Sequence, residues 1–224
     1  MNSKRNLNNR SSLIVADVDA EIDERKWEIV TAAAELFVKQ GYHKTTVRQI
    51  ATKAGLSMGG LYHHVHSKDS ILSLVLDSSQ LKKSEFTELV KSSLTHMSAT
   101  QAIRYAIEQH ILIVNAMQDI YLFFFQEGKY LRREDLKIVL QGDTEWINAY
   151  RLVLEKGCAS GEFNIKDISI AAANISYLCD MWAVKRWFFR NSYNMKQYIR
   201  EQQNFILSAI TNIVSDTSTS VSSL

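Results

Sequence analysis

Apolar residues recur along this chain at intervals of three and four, and no sustained alternation of apolar and polar positions argues for strands. The pattern predicts an all-α protein. A first helix is expected from about Asp23 to Gln40. Ile29, Val30, Ala33, Leu36 and Phe37 form its apolar stripe, and Gly41 suits the left-handed position just past its end. A second helix starts after Thr46, which stands at capping-box spacing from Gln49, and turns Val47, Ile50, Ala51 and Ala54 inward before Gly55. Ser57 caps a third, MGGLYHHV, whose inward residues are Leu61 and Val65. Ser67 caps a further restart, with Asp69 near the positive end of the helix dipole and Ile71, Leu72 and Val75 on the apolar side. Two short helices joined by AGLS and preceded by a longer one make a helix-turn-helix.

Beyond residue 98 the helices are expected to lengthen, near 100–117, 119–127, 132–158, 167–190 and 194–214. Trp146, Tyr150 and Val153 stripe the third of these. The fourth is apolar nearly all round: Ile168, Ala171, Ile175, Leu178, Trp182 and Phe189 line one side, while Ile170, Ala172, Tyr177, Met181, Val184 and Phe188 cover much of the rest. The last helix carries a similarly broad surface in Tyr198, Ile199, Phe205, Ile206, Ala209, Ile210 and Ile213. A helix apolar on two sides needs partners on both. Contact between two copies of the chain, a homodimer, is the economical reading; burial inside a larger monomeric bundle is the alternative.

Composition sharpens this in a few places. With no proline and eight glycines, the glycines mark most helix ends. The longest apolar run, Ile120 to Phe125, falls far short of the roughly 20 residues that span a bilayer. The N-terminal stretch has no apolar core or cleavage site of an export signal, so a cytoplasmic protein with no membrane partner is expected. Residues 1–22 and 215–224 are polar and expected to be mobile. Cys158 and Cys179, with no CxxC, read as buried free thiols. Charge is uneven: from Glu24 to Lys68 there are seven Lys and Arg against three Glu, whereas residues 77–224 balance at 16 of each sign. A small basic module joined to a larger neutral one points to a polyanion partner for the first.

His63, His64 and His66 raise the question of a metal. Adjacent His63 and His64 point about 100° apart on a helix and cannot ligate one ion together. His66 falls where the helix ends, and no cysteine or carboxylate stands at metal-site spacing, so no metal is expected. The chain has no HExxH or phosphate-binding glycine loop, and no catalytic residue is assigned.

The stretch AAAELFVKQGYHKTTVRQIATKAGLSMGGLYHHVHSKDSIL closely resembles the DNA-binding domain of TetR-type transcriptional regulators. The match runs without a gap through the Gly-Tyr ahead of Thr-Thr-Val, the Ala-Gly-Leu-Ser turn, Leu-Tyr-His-His and Ser-Lys-Asp. One mild departure is Val65, where such proteins usually carry Phe. The resemblance implies a DNA-binding domain over 23–68, a ligand-binding and dimerisation domain over 69–214, and double-stranded DNA with a palindromic operator as partner. Half-sites one helical turn apart, about 34 Å, must then match the spacing of two recognition helices. A ligand that favours another spacing lowers affinity. Thr46 and Arg48 would reach phosphate or a groove edge. Ser57, Met58, Gly59 and Gly60 would sit at the major groove, and Tyr62, His63 and Lys68 would grip backbone phosphates. Each glycine costs roughly 1 kcal/mol of helix stability relative to Ala. A missing side chain, however, lets the helix approach the groove. With Met58 and two glycines there, direct hydrogen-bond readout is expected to be sparse, and Arg48, thymine-methyl contact and DNA shape to carry much of the specificity.

The aromatic-rich stretches YLFFFQEGKYL and YLCDMWAVKRWFFR suit either a long apolar ligand pocket or plain core. The Gln-Glu near 124–127, LEKGCASGEFN at 154–164 and Trp182-x-x-x-Arg186-Trp187 resemble the branch of that family controlling fatty-acid or steroid breakdown, whose members respond to acyl-CoA thioesters. This implies a small-molecule effector and no resident cofactor, with Phe124, Trp182 and Arg186 as pocket residues and a repressor released by its effector. Arg186, on an otherwise apolar helix, is expected to meet an anionic ligand or to pair with Glu127 or Asp180. A multidrug-type efflux repressor and a ligand-independent architectural DNA-binding factor are the alternatives.

Overall fold

The computed structural model describes residues 24–128 and 131–211. The ordered elements among them are helices: α1 (Glu24–Gln40), α2 (Val47–Lys53), α3 (Met58–His64), α4 (Lys68–Ser93), α5 (Ala99–Ala116), α6 (Gln118–Glu127), α7 (Arg133–Ala159), α8 (Ile168–Val184), α9 (Arg186–Phe189) and α10 (Met195–Ile210). A single isolated bridge joins Phe163 to Thr211. The expected mobile tails, 1–22 and 215–224, lie outside the described residues, as does Ile213.

The chain forms two compact units. The first holds the described part of Met1–Glu85 together with Ile113–Thr144. Its core joins Ile29, Val30 and Phe37 of α1 to Ile50 of α2, Leu61 of α3 and Ile71, Leu72 and Val75 of α4. Met117 at the N-cap of α6, with Ile120 and Phe123 in the helix, completes it. The Phe37 ring lies 5.0 Å from Phe123 and 5.1 Å from Tyr42. Burying each such side chain contributes about 1.5–3 kcal/mol. Thus α6, expected within a larger domain beginning at residue 69, packs into the core that the helix-turn-helix shares.

The second unit comprises Phe86–Leu112 and the described part of Glu145–Leu224. Phe86, His110, Trp146 and Tyr150 cluster at its centre, with His110 and Trp146 edge to face at 3.9 Å between centroids. His110 is fully buried, and both ring nitrogens are engaged: Nδ1 with the Tyr150 hydroxyl and Nε2 with Asp180 Oδ1, each at 3.0 Å. Buried polar groups need such partners. Cys179, buried beside Tyr150, has its thiol pKa pushed far up by burial; Cys158 is half-buried.

The turn after α7 is held against the α4–α5 connection. Lys156 Nζ donates to the carbonyls of Leu94 and Met97 at 2.8 and 2.6 Å. Glu162 accepts from the amides of Ala99 and Thr100 at 3.0 and 2.8 Å and from the Ser160 hydroxyl at 3.0 Å. The Thr100 amide foremost, with the Ala99 amide and the Ser160 hydroxyl, holds the Glu162 carboxyl down at about 2. Gly157 lies under the Phe163 ring, where a Cβ would fall 2.0 Å from Cδ2. Lys156, Gly157, Ser160, Glu162 and Phe163 of the motif LEKGCASGEFN thus serve packing and capping.

Two expectations about helix lengths are corrected. Helices do not wait until residue 98 to lengthen, because α4 already has 26 residues. Its middle, DSSQLKKSE, hides the helical stripe because a lysine fills an inward position. Lys83 is 3% exposed, donates to Asp143 at 2.5 Å, and lays its stem over Gly142, where a Cβ would come within 2.5 Å of Lys83 Cδ. The helix expected over 167–190 ends instead at Val184. Lys185 leaves helical geometry at φ −110°, ψ 23°, and α9 restarts for four residues.

Candidate nucleic-acid interface

The local sequence sets α2 and α3 firmly. Thr46 Oγ1 accepts from the Gln49 amide at 3.2 Å while Gln49 Oε1 accepts from the Thr46 amide at 2.9 Å, a reciprocal capping box. At the other end of α2, Gly55 sits at φ +68°, the left-handed region that favours glycine. Its amide bonds Thr52 O, and the Leu56 amide bonds Ala51 O, which closes the helix in a Schellman motif. Ser57 then caps α3 by accepting from the Gly60 amide at 3.0 Å. Ser67 and Ser70 cap the start of α4 reciprocally, the Ser70 amide donating to Ser67 Oγ at 3.0 Å and the Ser67 amide to Ser70 Oγ at 2.9 Å.

Leu61 and Val65 bury the inner side of α3, at 0% and 3% exposure. Met58, Gly59, Tyr62 and His63 are exposed. At 100° per residue these four fall within an arc of about 140° facing away from Leu61. Gly60 is half-buried, and Ser57, Thr46 and Arg48 are exposed. The His63 and His64 rings pack edge to face, 5.3 Å apart.

Gly59 and Gly60 differ in what surrounds them. A Cβ on Gly60 would lie 3.3 Å from the capping Ser57 Oγ, tight enough that the cap must give. A Cβ on Gly59 would meet only that hydroxyl, at 4.0 Å, which is ordinary contact. Nothing in the described residues requires glycine at 59.

The basic residues also separate. Arg48 makes no side-chain bond within the described residues, and neither does Lys44, an exposed cation in the α1–α2 turn that the sequence reading passed over. Its signal was its place just ahead of the Thr-Thr pair. Lys53 pairs with Glu35 at 2.6 Å. Lys68, expected to grip phosphate, is turned inward: Nζ donates to the carbonyls of Tyr42, His43 and Thr45 at 3.0, 3.2 and 3.1 Å. It also lies 4.4 Å from the Tyr42 ring centroid. An ammonium has three donors, and these carbonyls use all of them. Lys68 thus holds the α1–α2 turn, helped by the Tyr42 hydroxyl donating to Asp69 at 2.6 Å. Burial, with Asp69 beside it, pushes the Tyr42 pKa well up.

The expected pocket residues are divided between the two units. Phe124 is half-buried against the core of the first unit, its ring 5.4 Å from Phe123. Trp182, 7% exposed, is covered by Tyr198 at 4.9 Å and Phe189 at 6.4 Å in the second unit. Arg186 is exposed at the start of α9. Asp180, expected as one of its partners, bonds His110.

Residues 29–75 match the family model for bacterial regulatory proteins of the tetR family, and residues 96–192 the tetracyclin repressor-like C-terminal domain. Among curated proteins the chain is 26% identical over 180 residues to the transcriptional regulator HbdR of Aromatoleum sp. (strain CIB), covering 80% of this chain and 78% of that one. It is 30% identical over 167 residues to the transcriptional repressor KstR2 of Rhodococcus jostii, covering 73% and 79%. Among solved structures, the ketosteroid regulator KstR2 of Mycobacterium tuberculosis superposes with a TM-score of 0.68 at 20% identity, over 85% of this chain and 97% of that one. FadR of Bacillus subtilis, solved with stearoyl-CoA, gives 0.61 at 21% over 81% and 95%. AibR, solved with isovaleryl coenzyme A and operator DNA, gives 0.64 at 17% over 84% and 98%. No helix among the described residues is long and apolar enough to cross a membrane. The capped helix-turn-helix and these matches place the chain in the tetR family of bacterial regulatory proteins, as a DNA-binding transcriptional regulator.

Proposed function

We propose that this regulator is a repressor that binds a palindromic operator as a homodimer and is released by a small hydrophobic effector, an acyl-CoA thioester. Residues 23–68 form the DNA-binding part, and 69–214 carry effector binding and dimerisation. Ser57, Met58, Gly59 and Gly60 meet the major groove, Thr46 and Arg48 its edge, and Tyr62 and His63, joined by Lys44, the phosphates. One observation carries the DNA reading: Gly59 sits on a capped, solvent-facing helix where its own chain gives no reason for glycine. The cost in helix stability is then offset by close approach to an external surface.

Two exposed apolar faces support the dimer. Ile170 and Tyr177 on α8 and Phe205 on α10 are 61%, 54% and 61% exposed, and a groove of about 460 Å³ runs between these helices, lined by Ile170, Ala171, Ile175, Phe205, Ile206 and Ala209. Exposed apolar patches of this kind mark association surfaces. The acyl-CoA reading draws on the likeness to FadR and AibR, each solved with such a thioester. It places the protein in the cytoplasm with no catalytic role. Arg186 remains the candidate for a charged contact with the effector, while Phe124 and Trp182 act through packing.

A mobility-shift assay against the chain's own upstream region tests this reading. The protein should prefer that duplex over random sequence at physiological salt, and an acyl-CoA added to saturation should release it. Equal affinity for random duplex, or retention of the operator across short-, medium- and long-chain acyl-CoAs, would contradict it.

A further inference from the structure

Residues 181–200 carry Lys185, Arg186, Arg190, Lys196 and Arg200 and not one Asp or Glu. Within this stretch α9 exposes two large rings, Trp187 at 69% and Phe188 at 58%, directly between exposed Lys185 and Arg190. The arrangement is held from below. Phe189 turns inward onto Tyr198 at 4.8 Å and Trp182 at 6.4 Å, and Phe188 lies against Phe189 at 5.2 Å with Trp187 5.9 Å beyond. One aromatic of the short helix is therefore an anchor, and the next two are presented to solvent.

We infer that Lys185, Trp187, Phe188 and Arg190 form an outward dock for the phosphorylated adenosine end of a coenzyme A thioester. Large rings this exposed mark a contact surface. Cations on both sides, in a stretch without Asp or Glu, select a polyanion, and indole with guanidinium suits a purine flanked by phosphates. Coenzyme A has that combination, an adenine beside a 3′-phosphate and a diphosphate. A second copy of the chain is disfavoured at this patch, because a two-fold contact would set like charges against like. The inference rests on the acyl-CoA reading above and assigns the polar half of that ligand to a surface separate from any site for its acyl chain.

Free coenzyme A, titrated into the full-length protein with Trp fluorescence as readout, tests the dock. Saturable quenching is expected in the wild type and should be lost in Trp187→Phe, with binding itself followed by calorimetry. Lys185→Glu with Arg190→Glu should weaken coenzyme A binding at least tenfold and raise the acyl-CoA concentration needed for operator release by a similar factor, while affinity for the operator without effector stays unchanged. If the charge-reversal variant binds coenzyme A as the wild type does, the dock is wrong, even where an acyl-CoA still releases the operator. If the wild type binds neither coenzyme A nor any acyl-CoA, the effector reading itself falls and the dock with it. A variant that turns monomeric by sedimentation, or a wild type that binds phosphatidylglycerol vesicles in preference to coenzyme A, would assign the patch to another partner and overturn the inference.

Discussion

Gly157 and Gly59 are both glycines inside helices, and they are there for opposite reasons. Gly157 makes room for its own chain: the Phe163 ring occupies the space a side chain would need. Gly59 makes room for nothing within the described residues, where an added Cβ would find only the Ser57 hydroxyl at 4.0 Å. The first glycine is explained by folding and the second by a surface that folding leaves open. The same division runs through the basic residues. Lys156 and Lys68 are consumed by backbone carbonyls, whereas Lys44 and Arg48 point no bond inward.

This contrast can be broken most forcefully at Gly157. Gly157→Ala should destabilise the second unit by about 3 kcal/mol, as overpacking of a filled site does, measured by urea unfolding. The fraction that remains folded should keep its operator affinity. Lys68→Met should cost about 2 kcal/mol through the carbonyls it leaves unsatisfied. It should leave the salt dependence of DNA binding per folded molecule unchanged. A slope reduced by about one unit in Lys68→Met would return that lysine to the phosphate contacts. Arg48→Ala, by contrast, should lower that slope by about one and leave urea stability within about 0.5 kcal/mol.

Glu162 gives a smaller effect with a defined sign. Its carboxyl is held at about 2 in the folded chain, below its ordinary value of 4.5. Its contribution is therefore present above pH 4.5 and lost as pH falls towards 2. Solvent screening keeps it to at most about 1 kcal/mol. Glu162→Gln should lower the midpoint of thermal unfolding at pH 7 and narrow its difference from the wild type as the solution is acidified.

The helix-turn-helix was legible because its signals are local. Thr46 with Gln49, Ser57, Gly55 and Ser67 announce caps and stops within three residues of where they act. What escaped the sequence depends on distant partners. The length of α4 was hidden because Lys83 fills an inward position, neutralised by Asp143 sixty residues on, and a lysine there reads as surface. The break at Lys185 falls where Lys185 and Arg186 interrupt an aromatic-rich stretch, with no Gly or Pro to mark it; Phe189 just beyond it packs on Trp182 and Tyr198. At the candidate interface, Arg48, Tyr62 and His63 are found exposed as expected, while the inward turn of Lys68 has no signature in sequence. The pocket residues are the least legible in sequence. An aromatic suited to ligand and one suited to core look alike until their neighbours are known, and Trp182 proved to be covered by its own chain.

The most direct test substitutes Gly59→Ala and measures two quantities on the same preparation, urea stability and operator affinity. Relief of the helix penalty should raise stability by up to about 1 kcal/mol. The methyl group on the groove-facing side should at the same time weaken operator binding by about tenfold or more. Stability gained with affinity untouched would show that nothing approaches this helix closely, and the central claim would be wrong.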